Sequence, residues 1–344
     1  MAMIFIDGFD HYGIAGNLTE GVYAQAVSCT FNTSNPRTGS TAISVSATGV
    51  LRRVLGGPKT TVGLAGAYYY GALPGANDSH RMMRFNDAGN SEQISIVLQS
   101  TGVIAVKRGT HLGTLIGQTL SPVITAETYN HVEVMVFFSN TVGTVEIRVN
   151  GVTVLSLTGV DTVNTGNVEC SQVLLGTGAL SVLIDDVFCY DDTGSFNNTF
   201  IGDRRVLTLF PDADTIQADW TVVGSANGFD AINQANPDGD TSYISAGVPD
   251  SNGVVSEFGM ENLPAGVSAI SGVVLVNMSR KTEAGIANVQ MSVISGASET
   301  AGTDQPMTEI YTYRQDVFEV DPASAAPFTP SEVDALLIKA DRTA

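Results

Sequence analysis

The sequence predicts an all-β protein of two antiparallel β-sandwich domains with one short C-terminal helix. Three observations predict it. The chain has 344 residues, more than one ordinary sandwich uses, so two cores are expected. It carries 36 glycines, 43% hydrophobic residues and only 15% charged ones, a composition rich in turn formers and poor in Lys and Glu. Short apolar runs with period-two alternation recur at about 8 to 12 residue spacing, with no amphipathic helical pattern between them.

The elements follow in order. "ISVSA" (43–47), "QISIVLQ" (93–99), "VIAVKR" (103–108) and "SQVLLG" (171–176) read as strands separated by Gly, Asn, Ser and Thr clusters. In "YNHVEVMVFFSNTVGTVEIRVNG" (129–151), Val132, Val134, Val136 and Phe138 point to one face, and Val145, Ile147 and Val149 resume the pattern after a break. Asn150 and Gly151 suit the two positive φ angles of a type I′ turn. That turn sets Val149 opposite Val152 and Ile147 opposite Val154, and carries a third strand through Leu157.

"SVLIDDVFCYDDTG" (181–194) places Val182, Ile184, Asp186, Phe188 and Tyr190 on one face, with Leu183, Asp185, Val187 and Cys189 on the other. The polar connector "DDTGSFNN" that follows marks a boundary, giving domains at 1–195 and 196–344. In the second domain "RRVLTLFPD", "ADWTVVG", "AISGVVLVNMSRK" and "NVQMSVISG" read as further strands, with Trp220 as a core anchor. Thr329 as N-cap, Pro330 at N1 and Glu332 at N3 form a capping box. They predict a helix with Val333, Leu336 and Leu337 on one face, packed as a short lid.

Charge and cysteine usage narrow the function. A formal charge of −19 repels phosphate backbones and anionic headgroups, so neither nucleic acid nor membrane is an expected partner. "MAMIFIDGFDHYG" has no basic n-region and no run of apolar residues is long enough to span a bilayer, so no signal peptide or membrane segment is expected. Cys29, Cys170 and Cys189 lack CxxC spacing and are read as reduced, buried thiols of a protein made in a reducing cytoplasm.

The hairpin of 129–157, followed by "VLIDDVFCYDD", resembles the concanavalin A-like lectin and laminin-G-like jelly rolls over residues 1–195. The resemblance lies in an aromatic-x-His-Val strand entry, a V-x-V-N-G turn and an I-D-D/E-V last strand, with Tyr129 standing where the family often has Trp. It implies that the first and last strands lie side by side, gathering Asp7, Asp10, Asp185 and Asp186, and that His131 is a structural strand-entry residue. Over the whole chain the order "IDGFDHY", "PRTGS", "HVEVMV", "IDDVFCYDDTGSFNNTFIGDRRV", "PDGDTSY", "SRKTEAG" and "DPASAAPFTPSEVDAL" resembles bacteriophage and prophage virion proteins of the tail-fibre, head-fibre or capsid-associated kind. That resemblance implies a structural or adhesive role in a virion, homotrimeric assembly, other virion proteins as partners and host surface glycans as a ligand class.

No motif of catalysis stands out. The E-x-D-x-x-E-like strand of sandwich glycosidases is absent, and Glu133, Glu146 and Glu169 read as single solvated strand positions. The four histidines, His11, His80, His111 and His131, lack metal-ligand spacing, and GxSxG, P-loop and dinucleotide patterns are missing. Asp185 and Asp186 could hold calcium or sugar hydroxyls. Adjacent strand residues face opposite ways, however, and chelate jointly only across a bulge, so strand-edge acids are the preferred reading. Asp238 and Asp240 in "PDGDTS", and Asp212 and Asp214 in "PDAD", look like fragments of a calcium loop without its bidentate acid, and ordinary turn acids are preferred. Of Tyr68, Tyr69 and Tyr70 at least one must face away from its neighbours' side of the strand, which makes this segment the strongest candidate for a glycan platform, although core or subunit contact is the preferred reading. The reading is a non-enzymatic virion protein. A glycan-binding module is the alternative, and a glycoside hydrolase or lyase has little support.

Overall fold

The computed structural model describes residues 2–76, 78–178, 180–246 and 254–343. The chain is all-β and forms two compact units. The first comprises Met1–Asp10, Ile14–Thr19 and Tyr23–Val206; the second comprises His11–Gly13, Glu20–Val22 and Leu207–Ala344.

The first unit contains β1 (Met3–Asp7), β2 (Gln25–Asn32), β3 (Ala42–Lys59), β4 (Thr61–Tyr69), β5 (Ser79–Asn86), β6 (Glu92–Gln99), β7 (Ile104–Arg108), β8 (Thr114–Gln118), β9 (Tyr129–Phe137), β10 (Gly143–Val149), β11 (Val152–Val160), β12 (Cys170–Leu175) and β13 (Val182–Tyr190). All pairings are antiparallel, in the order β11-β10-β9-β4-β13-β3-β12-β5-β6-β7-β8, with β1 on β13 and β2 on β3. The long β3 pairs with β13 through residues 43–45 and with β12 through residues 51–59, so one strand serves both layers of a curled jelly roll. Between the layers lie Val62, Leu64, Tyr68, Val132, Val134, Val136, Ile147, Phe85, Ile94, Ile96 and Val106, all fully buried.

The meander forms as read, with Asn150 and Gly151 at φ 50° and 80° and Val149 opposite Val152. A bulge between Ile147 and Arg148 then puts Ile147 opposite Leu155 instead of Val154, and β11 runs on to Val160. The alternation read through 181–194 also breaks. Ile184 pairs with Tyr68 on the core face of β4, whereas Phe188 pairs with Ala65 and Tyr190 with Gly63 on the opposite face. The cause is a bulge over residues 185–188, with Asp186 in the left-handed region at φ 51°.

The second unit contains β14 (Pro211–Ala218), β15 (Thr221–Val223), β16 (Tyr243–Ser245), β17 (Val254–Met260), β18 (Val273–Ser279), β19 (Asn288–Ser295), β20 (Ser298–Ala301), β21 (Gln305–Pro306), β22 (Thr312–Phe318), α1 (Pro330–Val333) and β23 (Leu337–Arg342). One sheet has the order β14-β17-β23-β19-β20 with β21 on β19, and β15-β16 and β18-β22 are two-stranded ribbons. Leu275 and Phe318 of the latter ribbon pack with Phe258, Val289, Met291, Val293 and Ile338 of the sheet, and Trp220 packs against this core.

The capping box at Thr329 is present, with Glu332 donating its backbone N–H to Thr329 Oγ1 and accepting from the Thr329 N–H, 2.7 Å. The helix is not a lid. It lasts one turn, Val333 and Leu336 enter the core, and Leu337 starts a strand inserted between β17 and β19. The first unit also extends past residue 195, to Val206, because Ile201, Gly202 and Val206 donate backbone N–H groups to its buried carboxylates.

Candidate functional site

A row of register-matched residues crosses seven strands on the face of the jelly roll opposite its core. Gln25 of β2 pairs with Arg52 of β3, Arg52 with Leu174 of β12, and Leu174 with Arg84 of β5. The row continues from Arg84 to Ser95 of β6, to Lys107 of β7 and to Leu115 of β8. Laterally paired residues of a sheet share a face. The neighbouring positions Val173, Phe85 and Ile94 point into the core, which fixes the row on the other side. Cations therefore alternate with neutral residues, on β3, β5 and β7.

Little of this positive charge is neutralised. Among the described residues, Glu92 is the carboxylate that pairs with the group, 2.8 Å from Arg81 and 3.5 Å from Arg84. Among the described residues neither Arg52 nor Lys107 has an ion-pair partner, and the Arg52 guanidinium donates to the Gln172 side-chain oxygen at 3.4 Å. Arg84 is 8% exposed and donates to the Gly176 carbonyl and Thr177 hydroxyl. Burial, then the neighbouring Arg81, pulls its pKa down to about 10, so it remains protonated at neutral pH. The Nε donors of Arg52 and Arg84 are buried without a hydrogen-bond partner. The Ser95 hydroxyl lies 2.7 Å from Glu92 and 2.7 Å from the Gly109 carbonyl, where the β7–β8 turn folds over the row and brings His111 to its flank. Burial and Arg81 lower the His111 pKa, which keeps that imidazole neutral.

The residues singled out in the sequence lie elsewhere. Tyr68 and Tyr70 are fully buried with stacked rings 6.3 Å apart, so neither offers a ring to a glycan or to another subunit. Their faces are filled because the alternation of β4 continues past the strand into the core. Tyr69 is half-buried and tilted against Tyr129, 5.5 Å away. Asp185 and Asp186 are fully buried, and the bulge does bring them to one place, where they bind protein donors. Asp185 Oδ2 accepts from the backbone N–H groups of Arg37 (2.8 Å) and Thr38 (3.1 Å), while Asp186 accepts from Arg37 Nη1 (2.9 Å), Thr38 Oγ1 (3.0 Å) and the Val206 N–H (2.8 Å). Arg37 also pairs with Asp203.

As the resemblance implies, β1 pairs with β13, with Asp7 opposite Val187. Asp10 accepts from the backbone N–H groups of Ser40 and Thr41, so Asp10, Asp185 and Asp186 together clamp residues 37–41. Asp7 instead accepts from Tyr23 Oη, 2.8 Å. Burial and the adjacent Asp186 charge push Asp185 up to about 7.

Glu133 is not a solvated strand position. It is fully buried, 2.9 Å from Tyr190 Oη, and takes the Ile201 and Gly202 N–H groups. His131 beside it stacks on Phe188 at 5.8 Å, with neither ring nitrogen bonded, and burial holds its pKa near 4. In the second unit Asp238 caps its own turn through the Ser242 N–H and hydroxyl, and Asp240 is bound by Arg280 and Tyr311. Asp214 accepts from Gly228 and Phe229. Among the described residues no group of three or more His, Cys, Asp or Glu side chains is placed to hold a metal ion.

Sequence reasoning missed Arg52, Arg84 and Lys107. The signal was present in "RMMRF" and "VIAVKR", where cations occupy the polar phase of the alternation, but aligning Arg52 with Arg84 needed the long-range pairing of both with Leu174.

Neither a protein-family model nor a curated protein matches the chain. Among solved structures it is similar to the cellulose induced protein Cip1, at 14% identity over 52% of this chain and 89% of that one, TM-score 0.38. It is similar to alginate lyase vAL-1 from Chlorella virus, at 10% identity over 48% and 91%, TM-score 0.37. A third likeness is to domain 4 of AbnA, a GH43 extracellular arabinanase from Geobacillus stearothermophilus in complex with arabinotriose, at 17% identity over 55% and 93%, TM-score 0.42. These are likenesses of fold alone, each to about half of the chain.

Proposed function

We propose that this chain is a non-catalytic adhesive protein, a virion component that assembles as a homotrimer and attaches through its jelly roll. The observation that carries the reading is the pair of half-buried cations Arg52 and Lys107, which among the described residues have no ion-pair partner, in a chain whose net charge is −19. The acids that could do chemistry on the other layer, Glu133, Asp185 and Asp186, are all buried and engaged by the protein itself, which favours binding over turnover. Self-assembly draws support from the edge strand β11, "VTVLSLTGV", which carries no charge to deter pairing and exposes Val152.

The test is attachment of the purified full chain to bacterial cells, compared with its Arg52→Gln/Lys107→Gln variant, together with its mass in solution. Attachment that the variant loses, by a trimer, is the expected result. Equal attachment by the variant, a stable monomer at high concentration, or turnover of a polysaccharide by the parent chain would overturn the reading.

A further inference from the structure

We infer that β11 is the contact through which two copies of this chain pair, edge to edge and antiparallel about a two-fold axis at Ser156. The strand ends its sheet: β10 pairs with one side of it, and among the described residues no strand pairs with the other. Its sequence, "VTVLSLTGV" (152–160), is nearly palindromic. An antiparallel partner of the same sequence centred on Ser156 sets Ser156 opposite Ser156, Leu155 opposite Leu157, Val154 opposite Thr158 and Val152 opposite Val160. Such a contact is isologous, and a second copy supplies the matching half. A two-fold contact joins single chains or trimers alike, so it goes beyond the adhesive reading and stands without it.

The chemistry of the edge favours this partner. Edge strands are commonly guarded against pairing by charge, lysine above all. Residues 149–160 carry no Asp, Glu, Lys or Arg, in a chain of net charge −19, so two acidic copies can meet along this line without setting like charges opposite each other. Glu146, the acid paired laterally with Ser156, is neutralised by Arg148 at 2.8 Å. Leu155 and Leu157 lie opposite Ile147 and Val145, which are fully buried, and so share the core face. Both leucines are only half-buried because the sheet stops there, although Leu157 already packs over Gly117 of β8. Pairing brings Leu155 of one copy beside Leu157 of the other and completes the burial of both. Register shifts at Val154 and Gly159 leave Leu155–Thr158 as the regular stretch, which holds the axis and keeps the contact short. A contact this small forms at high protein concentration.

The experiment traps the contact in the full chain with cysteine. At the axis, Ser156→Cys places two thiols on Cα atoms about 4.5–5.5 Å apart, a separation that a disulfide spans. Thr153→Cys, also at an exposed position of β11, lies about 20 Å from its counterpart and is the control. Diamide is expected to convert Ser156→Cys into a covalent dimer at least about tenfold faster than Thr153→Cys or the parent, whose Cys29 is part-buried and whose Cys170 and Cys189 are buried. Sedimentation of the parent at high concentration should show even-numbered assemblies. Ser156→Lys, which sets two cations across the axis at an exposed position, should raise the concentration needed for pairing by roughly fivefold or more, with an unchanged thermal melt. Cross-linking of Ser156→Cys no faster than the control, or pairing of Ser156→Lys like the parent, would overturn the inference. So would a parent that never pairs, which leaves the edge to a strand of another protein. None of these results removes the adhesive reading, which the Arg52→Gln/Lys107→Gln variant tests on other strands.

Discussion

Replacing Arg37 by Met tests how the jelly roll holds its last segment. The Arg37 side chain is 6% exposed and lies 2.9 Å from Asp186, which is fully buried, while also pairing with Asp203 and donating to the Arg204 carbonyl at 3.1 Å. Removing one member of a buried pair leaves the other charge uncompensated, which typically costs about 3–5 kcal/mol. Asp186 keeps the Val206 N–H and the Thr38 hydroxyl, and Asp203 is 38% exposed and can rehydrate, so the low end applies, about 3 kcal/mol. With a urea dependence of about 2 kcal/mol per molar, the unfolding midpoint of the first unit should fall by roughly 1.5 M. Hydrogen exchange of β4 and β13 amides follows that unit, while fluorescence of Trp220 follows the second and serves as the control. In a double-mutant cycle, Asp186→Asn should recover at least about 1 kcal/mol of the loss, since no charge is then left bare. A loss below about 1 kcal/mol, or strict additivity of the two substitutions, would refute the view that Arg37 neutralises Asp186.

Other outcomes follow from single side chains. Tyr68→Ala should destabilise the first unit by about 3–5 kcal/mol and half-buried Tyr69→Ala by much less, whereas Tyr70→Phe, which deletes a buried hydroxyl without a partner, should be neutral or stabilise by about 1 kcal/mol; chemical denaturation reads all three. Gly63→Ala should unfold or strongly destabilise the same unit, because a Cβ there overlaps the Tyr190 ring and displaces it from Glu133; melting of the variant checks this. His131, held near 4, is neutral when folded and takes up a proton on unfolding, so its contribution to stability is lost as pH falls from about 6.5 towards 4. Asp185, raised to about 7, acts in the opposite sense: its stabilisation is present at low pH and is lost as pH rises towards 7. His131→Gln should therefore gain stability relative to the parent, by up to about 1.4 kcal/mol per pH unit, as pH drops from 6 to 5, and identical pH slopes for the two proteins would count against a buried neutral imidazole.

Much of the architecture was legible because period-two alternation is local. The meander of β9, β10 and β11, the Asn150-Gly151 turn and the capping box at Thr329 each depend on a few adjacent residues. What failed was non-local. Leu337 looked helical because Val333, Leu336 and Leu337 share one helical face, yet a vacant position between β17 and β19 made the strand the better partner for the backbone. The alternation through Asp185 and Asp186 broke at a bulge that no periodicity signals, since it exists to turn both carboxylates towards residues 37–41, about 147 positions away in sequence. Glu133 was read as solvated because nothing near it foretells that residues 201–202 return to bind it.

The same separation between local and lateral order explains how so acidic a chain can present a cationic face. Net charge sets the far field, which repels polyanions in general, but the sheet's registry decides which charges meet at short range. Arg84 and Lys107 are aligned through Ser95 in consecutive strands, whereas Arg52 joins them only through Leu174, far away in sequence. A one-residue slip of β5 against β12 would send Arg84 into the core beside Val173, so the hydrophobic face that fixes the fold also fixes the spacing of the cations.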